Sequence, residues 1–280
     1  MGLWAFGGSV TNMFKQLQRL VPVLMCVALG AWAQDSMVLT SPGAWAAMGG
    51  VYTSPYGISV NNAVPTWLIC DDYTTDISLG QSWTADATTL TTVDSGDVGS
   101  LKFASASYNE APGIQGATST PPSLTTVAYD YATAAVLAAE LLTSSNVGTS
   151  SENTETVGEL SYALWGVFDA PLLTSTNTGF GTLTSGELAA ANSDLLAAQA
   201  LVTAATSGGV TNLNSISVNG ASIASMTVYT PIKPNGLASS QEFLTVAMPE
   251  PSYPSILALD LLAAAGLGLV FRKRRKAIRS

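Results

Sequence analysis

The chain has 280 residues, room for one domain of ordinary size or two small ones. It contains no histidine, which excludes Ser-His-Asp and Cys-His nucleophile systems, His-ligated zinc and histidine general bases. Between residues 34 and 250, eighteen Asp and Glu stand against two lysines, Lys102 and Lys233, a net charge of −16. Such a body repels nucleic acid and anionic lipid surfaces, and no nucleic-acid partner is expected.

Lys15 and Arg19 precede an apolar run from Leu20 to Leu29, and Ala31-Trp32-Ala33 follows as a small-residue cleavage site. This is the layout of a secretory signal peptide over residues 1–33, with cutting between Ala33 and Gln34. Cys26 would leave with it, so Cys70 is the one cysteine of the exported region and has no intrachain disulfide partner there.

Residues 34–247 read as an exported domain in three blocks. The first is rich in Thr, Ser, Tyr, Trp and Val. Gly50–Thr53, Ile58–Val60, Thr66–Cys70 and Gln81–Ala85 are expected strands, separated by turn chemistry at Ser54-Pro55-Tyr56-Gly57 and Asn61-Asn62. The second block, about 124–206, changes period. Helices are expected over Thr126–Thr143, over Thr156–Asp169 with Pro171 as its stop, and from Ser185 to about Ala205, with Ser185 as N-cap and Gly208-Gly209 as terminator. The third block returns to strands at Ser215–Asn219, Ser225–Tyr229 and Gln241–Val246, with Asn219-Gly220 as a hairpin turn. The economical architecture is an α+β fold, a β-sandwich or barrel interrupted by a three-helix insertion, because strands split by the insertion can pair across it. Separate β and α domains are the alternative.

Few residues offer chemistry. Cys70, in Leu68-Ile69-Cys70-Asp71-Asp72-Tyr73, is the candidate reactive thiol; the plainer reading is a small buried side chain at a strand end. Its carboxylate neighbours raise a thiol pKa, the wrong direction for a nucleophile. Asp71, Asp72 and Asp76, or Asp94 with Asp97, could offer oxygens to Ca²⁺, but neither set has EF-hand spacing, and solvated loop carboxylates are the simpler account. Trp and Tyr on the strands suit a carbohydrate platform or, more commonly, a core. No catalytic residue, metal site or cofactor is assigned.

The last segment, residues 248–280, carries the most specific signal. Pro249-Glu250-Pro251 is held extended by its prolines. Ile256–Phe271 is a sixteen-residue apolar run, slightly short of the roughly 20 a straight membrane helix needs. It contains Asp260, whose insertion costs about 3 kcal/mol at a helix centre. Arg272, Lys273, Arg274, Arg275 and Lys276 form a basic stop on the cytoplasmic side. This order closely resembles the PEP-CTERM sorting domain of bacteria. The resemblance implies recognition of the tail by exosortase, a membrane transpeptidase, a membrane-anchored state before processing, and an envelope setting with exopolysaccharide or biofilm matrix. The Cys70-Asp71-Asp72-Tyr73, Gly80-Gln81-Ser82-Trp83, Ala163-Leu164-Trp165 and Gln241-Glu242-Phe243-Leu244 stretches are similar to other cargo of that family. A strand cysteine, a helical block and an Ala-Leu-Trp helix also resemble the thioester domains of Gram-positive surface adhesins, where a cysteine bonds to a glutamine from a separate motif. Here Ser161 stands four residues before Trp165, so no thioester is expected at that place.

These observations lead to the expectation of a non-enzymatic, exported surface or extracellular-matrix protein with a structural or adhesive role. A secreted hydrolase that cleaves surface polysaccharide through a pair of carboxylates is the alternative. Covalent adhesion through Cys70 is a third reading, with loss of one ammonia as its signature.

Overall fold

The computed structural model describes residues 34–42, 47–104, 124–144, 154–174, 182–206, 213–232 and 240–247. Ala31 and Ala33, the Gly208-Gly209 terminator, Lys233 and the whole tail from Met248, including Pro249, Glu250, Pro251 and the basic cluster, lie outside the described residues; Gln34 is the first of them and is exposed.

In chain order the strands are β1 (Asp35–Ser41), β2 (Ala47–Met48), β3 (Val51–Tyr52), β4 (Tyr56–Val60), β5 (Thr66–Cys70), β6 (Ser82–Thr89), β7 (Ser217–Val218), β8 (Ala221–Ser222), β9 (Thr227–Pro231) and β10 (Phe243–Thr245). The helices are α1 (Leu90–Asp94), α2 (Leu124–Ser144), α3 (Thr154–Phe168) and α4 (Ser185–Thr206). Six strands close an antiparallel barrel in the order β1-β4-β5-β10-β9-β6, and β6 returns to β1. The fold is therefore mixed α+β, and the barrel is the form the strands take. All the helices lie in sequence between β6 and β9, so the β6–β9 and β5–β10 pairs are made across the helical stretch.

Strand periodicity sorts side chains between two cores. Met37, Leu39, Tyr56, Ile58, Leu68, Cys70, Trp83, Ala85 and Phe243 fill the barrel, and Trp83 stacks on Phe243 with ring centres 5.8 Å apart. The alternate residues Ile69, Val228 and Leu244 face outward against the helices. β5 ends in three consecutive buried residues because both of its faces are covered. On α2, Ala132, Ala135 and Ala139 let helices approach closely, while Leu137 and Leu141 bury completely. Each fully buried leucine contributes roughly 1.5–3 kcal/mol. α4 is the shallowest helix: Ala191, Ala198 and Val202 are buried, and Leu196 and Leu201 are exposed. Among the described residues it is the one helix long and apolar enough to cross a membrane by length and composition.

Several expectations shift. The sequence does not mark β1 as a strand, because only Met37 and Leu39 of its seven residues are apolar and fully inward. The expected strand at Gly50–Thr53 shrinks to β3, which pairs with β2 outside the barrel. The α4 cap is Thr184, not Ser185. Thr184 Oγ1 accepts the Glu187 N–H at 3.3 Å, and Glu187 Oε2 accepts the Thr184 N–H at 2.6 Å, a reciprocal capping box. Asn219 and Gly220 join β7 to β8 with φ of 50° and 86°, the turn geometry expected of that dipeptide.

α3 approaches its neighbours through glycine. A Cβ built on Gly166 would stand 2.2 Å from Leu173 Cδ1 and 2.7 Å from its Cγ. Gly166→Ala is expected to destabilise the fold by about 1–3 kcal/mol through overpacking, measured by urea unfolding. A change below a few tenths would show that the Ala170–Leu173 turn yields freely.

Candidate functional site

The site follows from one register. Phe243 of β10 pairs with Cys70 of β5, and Leu244 with Ile69. Opposed residues of an antiparallel pair share a face, so Cys70 and Phe243 point into the barrel while Ile69 and Leu244 face the helices. One step further, the Asp71 N–H donates to the Glu242 carbonyl at 3.4 Å. The same alternation then sets the Asp71 and Glu242 carboxyls side by side, at 1% and 0% exposure.

Two adjacent buried carboxyls cannot both be charged. Glu242 is the one supplied with donors: Oε2 accepts the Lys102 N–H at 2.9 Å and the Thr230 hydroxyl, and Oε1 accepts the Tyr131 hydroxyl at 2.6 Å. Those bonds pull back a pKa that burial raises. Neither Asp71 oxygen reaches a partner in ordinary hydrogen-bond geometry, although its carboxyl lies against that of Glu242. Burial first, and the Glu242 charge second, hold the Asp71 carboxyl well above the usual range, so Asp71 carries the proton.

Asp72 turns to a cation. Its Oδ2 forms an ion pair with Lys102 Nζ, both side chains being buried. Its Oδ1 accepts the Thr74 N–H at 3.1 Å and the Thr74 hydroxyl at 2.9 Å, an Asx-type turn, while Lys102 Nζ also donates to Thr75 Oγ1 at 2.9 Å. The next residue, Phe103, stacks on Phe168 at 4.3 Å and so seats the lysine segment against α3.

Cys70 is held at every polar atom. Its N–H donates to Ser54 Oγ at 2.9 Å, its carbonyl accepts Trp165 Nε1 at 2.9 Å, and its thiol donates to the Asp72 carbonyl at 3.2 Å. The Gln241 amide Nε2 donates to that same carbonyl at 3.1 Å. Thiol and carboxamide therefore converge on one oxygen. Gln241 Oε1 has no hydrogen-bond partner among the described residues. Burial first, then the charge of Asp72, push the Cys70 thiol up, so the free cysteine is a neutral thiol. Ser161 is occupied elsewhere: Oγ accepts the Ser54 N–H at 3.2 Å and donates to the Val157 carbonyl at 2.8 Å.

The four stretches singled out in the sequence thus meet. Cys70–Tyr73, Ala163–Trp165 and Gln241–Leu244 build the site, and Trp83 lies behind it on Phe243. Tyr73, Tyr162 and Trp165 form an aromatic cluster over it, with Tyr73 and Trp165 at 5.3 Å. Lys102, Tyr131 and Thr230 carry no motif in the sequence that marks them for this site. Lys102 had one signal, a lone cation in an acidic stretch. Position 161 holds no amide, whereas the Gln241 amide shares the Asp72 carbonyl with the Cys70 thiol. Trp83 and Trp165 are core residues and offer no carbohydrate platform. Asp71 and Asp72 are committed to the buried network, and no three Asp, Glu or Cys side chains converge to hold a metal among the described residues. A groove of about 530 Å³, lined by Gln34, Asp86, Thr88, Thr92, Asp97 and Ser100, offers hydroxyl and carboxylate oxygens. No family model, curated protein or solved structure matches the chain.

Raised carboxyls set the pH response. Burial pushes Asp130 up to about 7 and raises Glu140, Asp169 and Asp194 in the same direction. A carboxyl raised on folding binds its proton more tightly in the folded chain. Its stabilisation is complete below the unfolded value of about 4 and is lost as pH rises through the folded value. The thermal midpoint is expected to be higher at about pH 5 than at about pH 8, with Asp130→Asn flattening the part of the decline that ends near 7. A midpoint that climbs over that interval would contradict this.

Proposed function

We propose that the chain is an exported surface or extracellular-matrix protein of a bacterial envelope, non-enzymatic and adhesive, and that Cys70 with Gln241 is its point of attachment. The observation that carries this reading is the meeting of the Cys70 thiol and the Gln241 amide at the Asp72 carbonyl. Attack of Sγ on Gln241 Cδ forms the Sγ–Cδ bond and breaks Cδ–Nε2, and the thiol proton leaves with the nitrogen as ammonia. The product is an internal thioester, an acyl donor to an amine on a partner surface; transfer forms a new amide and returns the thiol. A thiol with a raised pKa is a poor leaving group, which keeps the buried thioester intact until an amine reaches it.

The sequence supports the delivery half. The signal peptide over 1–33 directs export, and Pro249-Glu250-Pro251 with its apolar and basic sequel makes an exosortase-type enzyme the processing partner and the membrane a temporary anchor. Exopolysaccharide is the setting this tail implies. The alternative, a carboxylate-dependent hydrolase acting on surface polysaccharide, needs an acid pair open to a sugar chain. Asp71 and Glu242, the pair that the β5–β10 register brings together, are buried among Tyr131, Thr230 and Lys102, which favours the adhesive reading.

Intact-mass measurement and terminal sequencing of protein from its native host test both halves. The expected N-terminus is Gln34 and the expected C-terminus lies at the Pro-Glu-Pro motif. The mass should carry a deficit of one ammonia that Cys70→Ser and Gln241→Ala each remove, and methylamine should add once to the wild-type chain. A wild-type chain that shows a titratable thiol on denaturation and takes up no methylamine would refute the covalent reading.

A further inference from the structure

The buried ion pair is chemically distinct from the Cys70–Gln241 pair. Lys102 is 3% exposed and Asp72 0%, and their side chains touch. Both are fixed from outside the pair. Glu242 Oε2 holds the Lys102 backbone N–H, and Thr74 holds the far oxygen of Asp72 through two hydrogen bonds. The Phe103–Phe168 stack and Tyr131 exclude water from the lysine side. An amine and a carboxyl locked together in a dry site have the proximity of an intramolecular reaction, and a buried charged pair carries a desolvation cost that a neutral product does not.

We propose that Lys102 and Asp72 are joined by an amide between Nζ and Cγ, formed by the folded chain itself. Proton transfer within the dry pair gives a neutral amine and a carboxylic acid. The amine nitrogen attacks Cγ, the Nζ–Cγ bond forms, and the Cγ–OH bond breaks. The proton that the nitrogen sheds passes to the departing hydroxyl, which leaves as water. The balance is one ammonium and one carboxylate in, one amide and one water out, with no oxidant or cofactor. The amide N–H that remains can keep the bond to Thr75 Oγ1 that Lys102 Nζ makes now. Glu242 is a positioning residue here, because it grips the backbone of residue 102 and not the reacting atoms. The link would tie the end of β5 to the segment after α1, staples that side of the barrel to the helices, and stands or falls independently of the thioester.

Peptide mapping of the denatured wild-type chain decides the matter. Trypsin is expected to spare the bond after Lys102, and a second protease to release a branched peptide containing residues 72 and 102 at one water below the summed mass. Methylamine should leave this linkage untouched, which separates it from the Cys70–Gln241 thioester, and it should persist in Cys70→Ser. Lys102→Arg restores the water. Asp72→Asn, made in the Cys70→Ser background, forms the same amide with loss of ammonia in place of water. Linear peptides ending at Lys102 from the wild-type chain would overturn the proposal, whatever the variants do.

Discussion

Closure of the barrel rests on the short pairing of β5 with β10, and that pairing carries an electrostatic cost. Its register sets Asp71 beside Glu242 between the barrel and the helices, where two charges of one sign cannot stand together. The chain resolves the conflict by leaving Asp71 protonated and surrounding Glu242 with donors from separate elements: Thr230 on β9, Tyr131 on α2 and the Lys102 backbone after α1. A polar network satisfied in this way accepts one register, since a slip of β10 by one residue would turn Glu242 into the barrel and Phe243 out of it. A three-residue strand gains specificity that its few ladder bonds cannot supply.

The helices then lock the same segment from the other side. Trp165 reaches from α3 to the Cys70 carbonyl, and Ser161, one turn earlier, reaches Ser54, which in turn holds the Cys70 N–H. Rigid support of this kind matters to either proposed bond. Both need a nucleophile and a carbonyl carbon held in register over a period far longer than a collision, and both sites draw their stiffness from the same few hydrogen bonds.

One member of each proposed pair therefore lies within three consecutive residues, 70 to 72. Cys70 faces the barrel interior and meets Gln241 at the Asp72 carbonyl, and the Asp72 side chain meets Lys102. Asp71 between them stores a proton. Under the proposed surface role these features have a common sense: one pair would bind the chain to something outside, and the other would hold the domain that transmits the load.

Local pattern alone settled much of this chain. The three long helices, most of the strands and the Asn219-Gly220 hairpin were legible because a helical stripe, a two-residue alternation and a positive-φ turn are written in neighbouring residues. Histidine's absence and the acidic body bounded the chemistry in the same way, and the terminal signals are sequence features throughout. What remained illegible was whatever depends on distant residues meeting. β1 has too few apolar positions to announce itself and is a strand because β4 and β6 pair with it. Cys70 read alone is a small buried residue. It becomes a candidate group only when Gln241, whose amide meets the Asp72 carbonyl from 169 positions away, is brought to it by the register of β10. Lys102 and Glu242, 140 positions apart, are joined for the same reason. Sequence determined the elements because their forces act between neighbours; tertiary structure decided the site because register and burial are properties of the closed barrel.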